Sequence, residues 1–268
     1  MKIILITGSS SGIGKETAIL FAKKGWQVVA TMRNSEHLTL FADIKNISTY
    51  VLDVKDKNSI KSCIKQVIQD FGKIDVIVNN AGVYTTNPLE LTSDETIDNI
   101  VETNVKGFLY TTKTIVEHFR ENKSGIIVNV SSIAGRVTFP FQSIYHTSKW
   151  AIEGFSESLY YELKPLNIKV KVVEPGMVKT NIYNSVLDFP FEQYPVDYQS
   201  NFKKWHRYLM NNFKNGYLPE LDAKKIYKAV NSNCSKLRYT TDFTTKMVFF
   251  LRSLFPLCVF QNIINKQS

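Results

Sequence analysis

The chain has 268 residues, of which 44% are hydrophobic and 21% are charged, which is ordinary for a globular protein. The length suits one large α/β domain or two small ones. Three widely spaced cysteines, Cys63, Cys234 and Cys258, predict neither a disulfide framework nor a zinc site, and they indicate a reducing compartment. No DNA-reading helix or RNA-binding signature is found, so nucleic acid is not an expected partner.

The apolar segments are short. Met1–Ile6 runs directly into a glycine-rich turn, so we interpret it as a buried strand and not as a signal peptide. No uninterrupted apolar run reaches the roughly 18 residues that a transmembrane helix needs. No membrane-spanning segment is therefore expected.

The positive charge is concentrated late in the chain. Residues 169–268 carry 15 basic and 7 acidic groups, whereas residues 1–168 carry 18 and 17. Two interpretations stay open for this excess of +8: an anionic partner, either a membrane surface or a phosphorylated ligand, or a lysine-rich surface exposed to solvent.

Strands and helices are predicted to alternate along most of the chain. Six β-branched apolar runs are predicted as strands: Ile3–Ile6, Gln27–Thr31, Thr49–Leu52, Ile74–Val78, Gly125–Val130 and Ile168–Val173. Segments with helical spacing lie between these strands. They are the segment that ends at Gly25, Ser59–Phe71, Ser93–Phe119 and the segment from Tyr145 onward, and Leu221–Val230 is predicted as a later helix. This alternation predicts an α/β fold with a doubly wound parallel sheet covered on both faces.

Polar clusters fall where the predicted strands end: Gly8–Gly14, Asp53, Asn79–Gly82, Ser131-Ser132 and Pro175-Gly176. Ligands of such sheets bind outside the carboxyl ends of the strands. In the first cluster, glycines allow the backbone to approach a ligand, and the following helix N-terminus favours an anion such as a pyrophosphate.

Tyr145 and Lys149 are four residues apart in a predicted helix and therefore share one helix face. A free phenol titrates near pH ~10, and a nearby positive charge lowers that pKa. The pair is therefore a candidate general acid–base.

Together the motifs resemble the short-chain dehydrogenase/reductase family, in its compact single-domain branch. They are Thr7-Gly8-x-x-x-Gly12-Ile13-Gly14, Asn79-Asn80-Ala81-Gly82, Asn104, Ser132, Tyr145-x-x-x-Lys149 and Pro175-Gly176. The resemblance is strong over residues 1–182 and loose over 218–238. It implies a Rossmann-type fold and an oxidoreductase that acts on CH–OH groups.

The resemblance also implies catalytic roles. Tyr145 would exchange a proton with the substrate oxygen, while Lys149 would lower the pKa of Tyr145 and bind the nicotinamide ribose. Ser132, which lies 13 residues before Tyr145, is preferred to Ser131 as the hydrogen-bond partner of the substrate oxygen. Asn104 would hold the active-site helix and a water in a proton relay.

A nicotinamide dinucleotide is the implied cofactor, and no metal is implied. Asn79 and Gly82 would line the cofactor and Asp53 would meet the adenine. The implied binding residues are Gly8, Ser10, Ser11, Gly12, Ile13, Gly14, Arg33, Asp53, Val54, Asn80, Ala81, Gly82, Tyr145, Lys149, Pro175, Gly176, Val178 and Thr180.

NADP(H) is favoured over NAD(H) by the residues that end the second strand. Met32 stands where NAD-using members carry Asp, and Arg33 follows. An arginine there accommodates a 2′-phosphate. Ser11 is a departure, because NADP-using members often carry a basic residue at that position.

The segment 183–217 is rich in aromatics and is interpreted as a substrate lid within a domain spanning residues 1–240. Its aromatics either line an apolar pocket or pack the lid onto the domain. Together with Ala30–Arg33, the segment Gly135–Gly154 resembles hydroxysteroid and retinol dehydrogenases. A lipophilic alcohol, aldehyde or ketone is the expected substrate, whether steroid, retinoid or fatty.

The tail, residues 241–268, is apolar but interrupted by Arg252 and Pro256. Three destinations stay open: an anionic membrane, the mouth of the substrate pocket, and a subunit contact. The resemblance implies a cytoplasmic homodimer or homotetramer, formed through helices 93–119 and 148–163. The alternative function is a catalytically silent NADP(H)-binding sensor or scaffold, against which the presence of Asn104, Ser132, Tyr145 and Lys149 weighs.

Overall fold

A parallel sheet forms the centre of the molecule. The computed structural model describes residues 1–186 and 191–267. Across these ranges seven strands lie in the order β3-β2-β1-β4-β5-β6-β7. They are β1 (Ile3–Ile6), β2 (Gln27–Met32), β3 (Ile47–Val51), β4 (Val76–Asn79), β5 (Gly125–Val130), β6 (Ile168–Glu174) and β7 (Arg238–Thr240). The predicted Rossmann-type fold is confirmed; β7, at the edge of the sheet, is an addition to the six predicted strands.

Helices connect the strands and cover the sheet. They are α1 (Gly12–Lys23), α2 (Lys57–Phe71), α3 (Asp94–Val101), α4 (Gly107–Glu121), α5 (Ser143–Leu163), α6 (Val196–Lys214), α7 (Glu220–Val230), α8 (Phe243–Leu254) and α9 (Leu257–Gln267). The predicted helix Ser93–Phe119 is observed as α3 and α4, joined by a π-helical turn at Glu102–Lys106.

The two faces of the sheet are buried in separate apolar clusters. Ile4 and Ile6 of β1 pack in one cluster with Phe21 of α1. Their neighbour Leu5 packs in the other, with Ile64 of α2. Successive side chains of a strand point to opposite faces, so a run without polar alternation is buried on both sides.

The order of the strands creates a crevice at the carboxyl edge. β1 lies between β2 and β4, so the chain leaves it in one direction and later returns on its other side. The connections after β1 and β4 therefore diverge at this point, which is where open α/β sheets bind ligands.

Helix α6 occupies most of the predicted lid. Phe202 and Trp205 of α6 are buried in an aromatic cluster that includes Tyr84 and Tyr145. These α6 aromatics therefore pack the lid onto the domain, as one of the two interpretations expects. The part of the lid at 187–190, with Phe189 and Pro190, lies outside the described residues.

The tail packs behind the turn that follows β5. Phe249 of α8 and Phe260 of α9 are buried against Ile133 and Val137. In the described ranges, no helix combines the length and the hydropathy needed to span a bilayer.

Candidate active site

A cavity of about 570 Å³ opens at the carboxyl edge of the sheet. Most of the residues predicted to bind cofactor or substrate line it: Gly8, Ser10, Ser11, Gly12, Ile13, Arg33, Asp53, Val54, Asn80, Ala81, Gly82, Ser132, Tyr145, Lys149, Pro175, Gly176, Val178 and Thr180. Strands that are distant in sequence therefore contribute to one site, as expected for a parallel sheet.

The glycine turn after β1 allows the turn after β4 to approach it closely. Gly8 has a φ of +68°, and a Cβ placed there would lie 2.7 Å from the Cα of Ala81. The Thr7 hydroxyl accepts hydrogen bonds from the backbone N–H groups of Asn80 and Ala81, at 3.0 and 3.1 Å. The turns after β1 and β4 are thus joined beneath the cavity floor.

The start of α1 faces the cavity. Ser11 is its N-cap residue, yet its side chain makes no capping hydrogen bond. Gly12 and Ile13, the first two helical residues, line the cavity. Backbone N–H groups at such a helix start are available to an anion.

Two predicted lining residues do not reach the cavity. Gly14 faces inward, where a Cβ would overlap the Gly8 carbonyl and lie 2.6 Å from Asn80 Nδ2, so it permits close packing of α1 on the turn. Asn79 is buried, and its amide donates to Thr112 Oγ1 and Asn129 Oδ1 at 2.9 and 2.8 Å. Neither residue lines this cavity, and both support it from below.

The end of β2 forms one rim of the cavity. Met32 is buried there, and Arg33 is exposed. Both line the cavity, with Asp53 and Val54 across from them after β3. The Asp53 carboxylate accepts a hydrogen bond from the backbone N–H of Lys55 at 3.0 Å.

Tyr145 and Ser132 meet inside the cavity. Their side chains are hydrogen-bonded to each other, and the Ser132 hydroxyl also accepts from the backbone N–H of Ala134 at 3.1 Å. Ser131 is buried and lies near Glu153 instead. Of the two serines, Ser132 is the one beside the phenol.

The Tyr145 phenol is a neutral proton donor in this structure. Burial raises its pKa to about 12, and the hydrogen bond from Ser132 opposes the rise only in part. The expected lowering of this pKa is therefore not observed, because desolvation of the buried phenol dominates.

Lys149 is buried beside Tyr145. Its ammonium lies 5.8 Å from the centroid of the Tyr145 ring and donates to the Val130 carbonyl at 3.1 Å. Burial lowers the pKa of Lys149 to about 8, while the nearby Glu153 carboxylate acts in the opposite direction. Lys149 therefore titrates close to neutral pH.

Asn104 joins two parts of the site without lining it. It sits in the π-helical turn, a feature that is frequent at functional sites. Its side chain pairs with the backbone of Val83 through two hydrogen bonds of 2.8 Å and donates to Ser148 Oγ of α5 at 3.2 Å. It thereby fixes the loop after Gly82 against the helix of Tyr145.

The comparison with protein families agrees with this arrangement. The sequence model of the family described as short chain dehydrogenase matches residues 2–189, more than half of the chain. The chain belongs to the short-chain dehydrogenase family. This family assignment confirms the resemblance based on the sequence motifs.

Relatives of this dehydrogenase include proteins of similar length. YusZ of Bacillus subtilis, an uncharacterized oxidoreductase, is 37% identical over 277 residues, covering 99% of this chain and 98% of YusZ. A 3-ketodihydrosphingosine reductase of Bacteroides thetaiotaomicron is 33% identical over 229 residues, covering 85% of this chain and 83% of that protein. The solved structure of ElxO with NADP bound has a TM-score of 0.76 at 29% identity, covering 92% of this chain and 99% of ElxO.

Tyr84 and Ile182 of the dehydrogenase site are not identified by sequence reasoning, whereas Tyr183 is one of the lid aromatics predicted either to line a pocket or to pack the lid. Tyr84, Ile182 and Tyr183 line the cavity around Tyr145. The Tyr84 ring lies 4.7 Å from the Tyr145 ring and 5.2 Å from the Tyr183 ring, both edge-on. The position of Tyr84, two residues after Gly82 in the loop that follows β4, is the signal that points to it.

His146 orders the segment in front of Tyr145. Its Nε2 accepts from the backbone N–H of Phe139 at 2.8 Å, and its Nδ1 lies 2.9 Å from the Ala134 carbonyl. Burial lowers the pKa of His146. A neutral imidazole that donates from Nδ1 and accepts at Nε2 satisfies both contacts.

The wall behind Gly176 is polar and buried. The Gly176 backbone N–H donates to the Tyr217 hydroxyl at 2.9 Å, which in turn donates to Asp222 Oδ1 at 3.1 Å. Burial raises the pKa of Asp222 to about 7. A Cβ on Gly176 would overlap the Thr245 hydroxyl and lie 2.6 Å from Asp242 Oδ1, so the start of α8 supports this loop directly.

Proposed function

We propose that this dehydrogenase transfers hydride between NADP(H) and a lipophilic alcohol or carbonyl compound, with Tyr145 as the general acid–base. The observation that carries the proposal is the meeting of Tyr145, Ser132 and Lys149 in the cavity that the glycine turn also lines. A proton donor, a second hydroxyl and a cation thus share a space with an anion-binding helix terminus.

The residues present fit a phosphorylated dinucleotide. The uncapped start of α1 suits a pyrophosphate. Arg33, together with Ser10 and Ser11, offers a cation and hydroxyls at the rim where an adenosine phosphate would lie. The NADP named in the ElxO structure supports the same choice, with NAD(H) as the less favoured cofactor. When bound, the cofactor supplies the hydride, and the chain supplies orientation and the proton.

The catalytic side chains would each act at the substrate oxygen. Hydride addition to a carbonyl places negative charge on that oxygen, which Ser132 and Tyr145 would stabilise by donating hydrogen bonds. Tyr145 would then transfer its proton, since its raised pKa keeps it protonated at neutral pH. Lys149 would supply a positive charge close to the phenol, and Asn104 would hold the Tyr145 helix in place.

A lipophilic substrate is supported by the surroundings of Tyr145. The cavity wall there consists of Tyr84, Ile182 and Tyr183, with Phe213 stacked on Tyr183 at a centroid distance of 3.3 Å. Apolar walls with a few polar groups are typical of sites for small organic ligands. The similarity to a 3-ketodihydrosphingosine reductase supports a keto substrate, and the resemblance to hydroxysteroid and retinol dehydrogenases supports bulky alcohols.

The test measures NADPH oxidation in the presence of a panel of steroid ketones, retinal and medium-chain aldehydes. The loss of NADPH absorbance is the readout. Tyr145→Phe should abolish turnover while NADPH still binds. Tyr84→Phe is the matched control, because it also removes one phenolic hydroxyl from the same cavity, and it should retain turnover. NADPH binding with equal turnover in both variants would rule out Tyr145 as the proton donor. Binding without turnover of any compound by the unmodified chain would favour the silent sensor or scaffold.

We also propose that the protein is a cytoplasmic homodimer or homotetramer that associates through α4 and α5. The outer side of α5 supports this, because Trp150 and Tyr161 are 46% and 66% exposed there. Tyrosine and tryptophan are enriched at protein–protein contacts relative to the rest of the surface.

A further inference from the structure

Helix α8 is apolar on two opposite faces. Its inner face is buried against the turn after β5, through Phe249. Its outer face carries four large apolar side chains, Phe243, Met247, Phe250 and Leu254, which are 74%, 41%, 59% and 60% exposed. Their spacing of four, three and four residues places them in one row along the helix.

The exposed apolar surface continues beyond α8. Further large apolar side chains are exposed in the connection and in α9: Phe255, Leu257, Val259 and Ile263. We call these residues and the α8 row together the tail surface. A large exposed apolar surface marks a contact with a protein or a membrane, whereas single scattered apolar residues do not.

Lysines gather beside the tail surface. Lys246 is exposed on α8, one position before Met247 of the apolar row. It lies close enough to Lys225 for the two charges to repel, and Lys228 and Lys236 also repel Lys225; these repulsions add to burial in lowering the pKa of Lys225. Lys246, Lys228 and Lys236 thus surround Lys225, and Lys246 joins this lysine cluster to α8.

Acidic groups are nearly absent from this part of the chain. From Ala223 to Ser268 the sequence contains eight basic residues and one acidic residue, Asp242. The Asp242 carboxylate accepts from the backbone N–H of Thr245 at 2.9 Å and so caps α8. This carboxylate and Asp222, which attracts Lys225, offset only part of the charge of the four lysines, so the cluster keeps a net positive charge.

We infer that the tail surface docks on an anionic lipid bilayer, with the apolar row of α8 inserted at the interface and the lysine cluster on the headgroups. An apolar helix face with neighbouring cations is the pattern of interfacial membrane binding, in which buried apolar area and attraction to anionic lipid add together. The charge favours this occupant over a second copy, because a two-fold contact through the tail surface would bring two lysine clusters together.

The experiment is vesicle flotation of the full-length protein without cofactor. Vesicles of phosphatidylcholine alone are compared with vesicles that also contain phosphatidylglycerol. The protein should float with the anionic vesicles only, and added salt should weaken binding. Because no substrate or cofactor is involved, this result is independent of the proposed enzymatic function.

Two variants and two controls locate the surface. Phe250→Ser should weaken binding roughly ten-fold or more, since it removes a large apolar side chain. Lys246→Gln should weaken it roughly five-fold, as expected for one cation near an anionic surface. Leu89→Ser and Lys61→Gln change exposed residues elsewhere and should leave binding unchanged. Thermal unfolding checks that each variant is folded, and Met247→Ser replaces Phe250→Ser if the latter is not.

Three outcomes would overturn the inference: no flotation with anionic vesicles, equal flotation with both vesicle types, or equal losses in the control variants. Light scattering tests the competing occupant. If Phe250→Ser lowers the molecular mass of the assembly in solution while the unmodified protein does not bind vesicles, the tail surface is a contact between copies of this chain.

Discussion

Lys149 is the residue where burial and charge oppose each other most directly. Its pKa of about 8 means that its positive charge disappears just above neutral pH. We predict that kcat/KM for carbonyl reduction is constant below pH 8 and falls roughly ten-fold per pH unit above it, as for a single ionisation. Tyr145, with a pKa of about 12, stays protonated over this range and cannot cause the fall.

The measurement is the pH profile of steady-state reduction. Lys149→Met should be slower at every pH and should lose the decline, because the titrating group is gone. A wild-type profile that remains level well above pH 8 would contradict the assignment of this step to Lys149.

Arg33 offers a prediction about cofactor choice. Arg33→Ala should weaken NADPH binding roughly ten-fold or more and NADH binding little, because only NADPH carries the phosphate that the guanidinium would contact. Binding is measured by fluorescence titration of each cofactor. Lys61→Ala, an exposed cation of α2 outside the cavity lining, is the control. Equal losses for the two cofactors would argue against the phosphate contact.

At the residue scale, a motif indicates which loop reaches the site but not which side chain faces inward. Asn79 and Asn80 are adjacent, yet only Asn80 lines the cavity, because Asn79 still belongs to β4 and points into the sheet core. Gly14 is a second example, because its position in α1 turns it toward Gly8 and away from the cavity. The pKa of Tyr145 was likewise not predictable, because burial depends on Tyr84 and on lid residues that come much later in the chain.

At the scale of elements, the long apolar runs were predictable and the irregular ones were not. The strands of the central sheet are continuous β-branched runs, which few other structures accommodate. The π-helical turn at Glu102–Lys106 has helical spacing on both sides, so nothing in the periodicity marks it. Strand β7 has three residues and follows a polar loop, and only its pairing with β6 makes it a strand.

The contact between α7 and the Gly176 loop predicts how stability depends on pH. Burial raises the pKa of Asp222 to about 7 in the folded protein, whereas an aspartate in the unfolded chain titrates at about 4. Between these pH values the unfolded chain releases the proton and the folded chain keeps it. The free energy of unfolding should therefore fall as pH rises from about 4 to 7, by on the order of a few kcal/mol.

Asp222→Asn should flatten this dependence, because the amide cannot ionise, while it still can accept from Tyr217. Urea unfolding at several pH values measures it. Asp197→Asn on α6 removes an exposed carboxylate and serves as the control. If wild type and Asp222→Asn lose stability in parallel as pH rises, another group is responsible.

For the whole molecule, the outer face of α5 leads to a prediction about assembly. Trp150, Gly154 and Tyr161 lie in one exposed row, and nothing lies within 4 Å of a Cβ built on Gly154. Trp150→Glu should shift the protein to monomers, because it would place a charge in an apolar contact. Light scattering after gel filtration measures the mass, with Lys61→Gln on α2, an exposed position where the net charge changes by the same amount, as the control. An unchanged mass for Trp150→Glu would remove α5 from the interface.

The architecture of the whole molecule was predictable because alternating strands and helices admit few arrangements. The surroundings of the site were less predictable from the sequence. Neither the aromatic packing of the lid helix α6 onto the domain nor the placement of the tail behind the β5 turn leaves a periodic signal. Such contacts join segments that are distant in sequence, and only the folded chain specifies them.

The support that α8 gives to Gly176 has a consequence for how the protein is made in the cell. A ribosome delivers the glycine turn, Ser132 and Tyr145 long before it delivers Asp242 and Thr245. Until these last residues emerge, the loop at Pro175-Gly176 lacks its backing, and the sheet lacks the edge strand β7. A nascent chain truncated before β7 would therefore display every catalytic side chain and still lack a finished wall for its ligand. Translation completes this site only once the start of α8 has emerged.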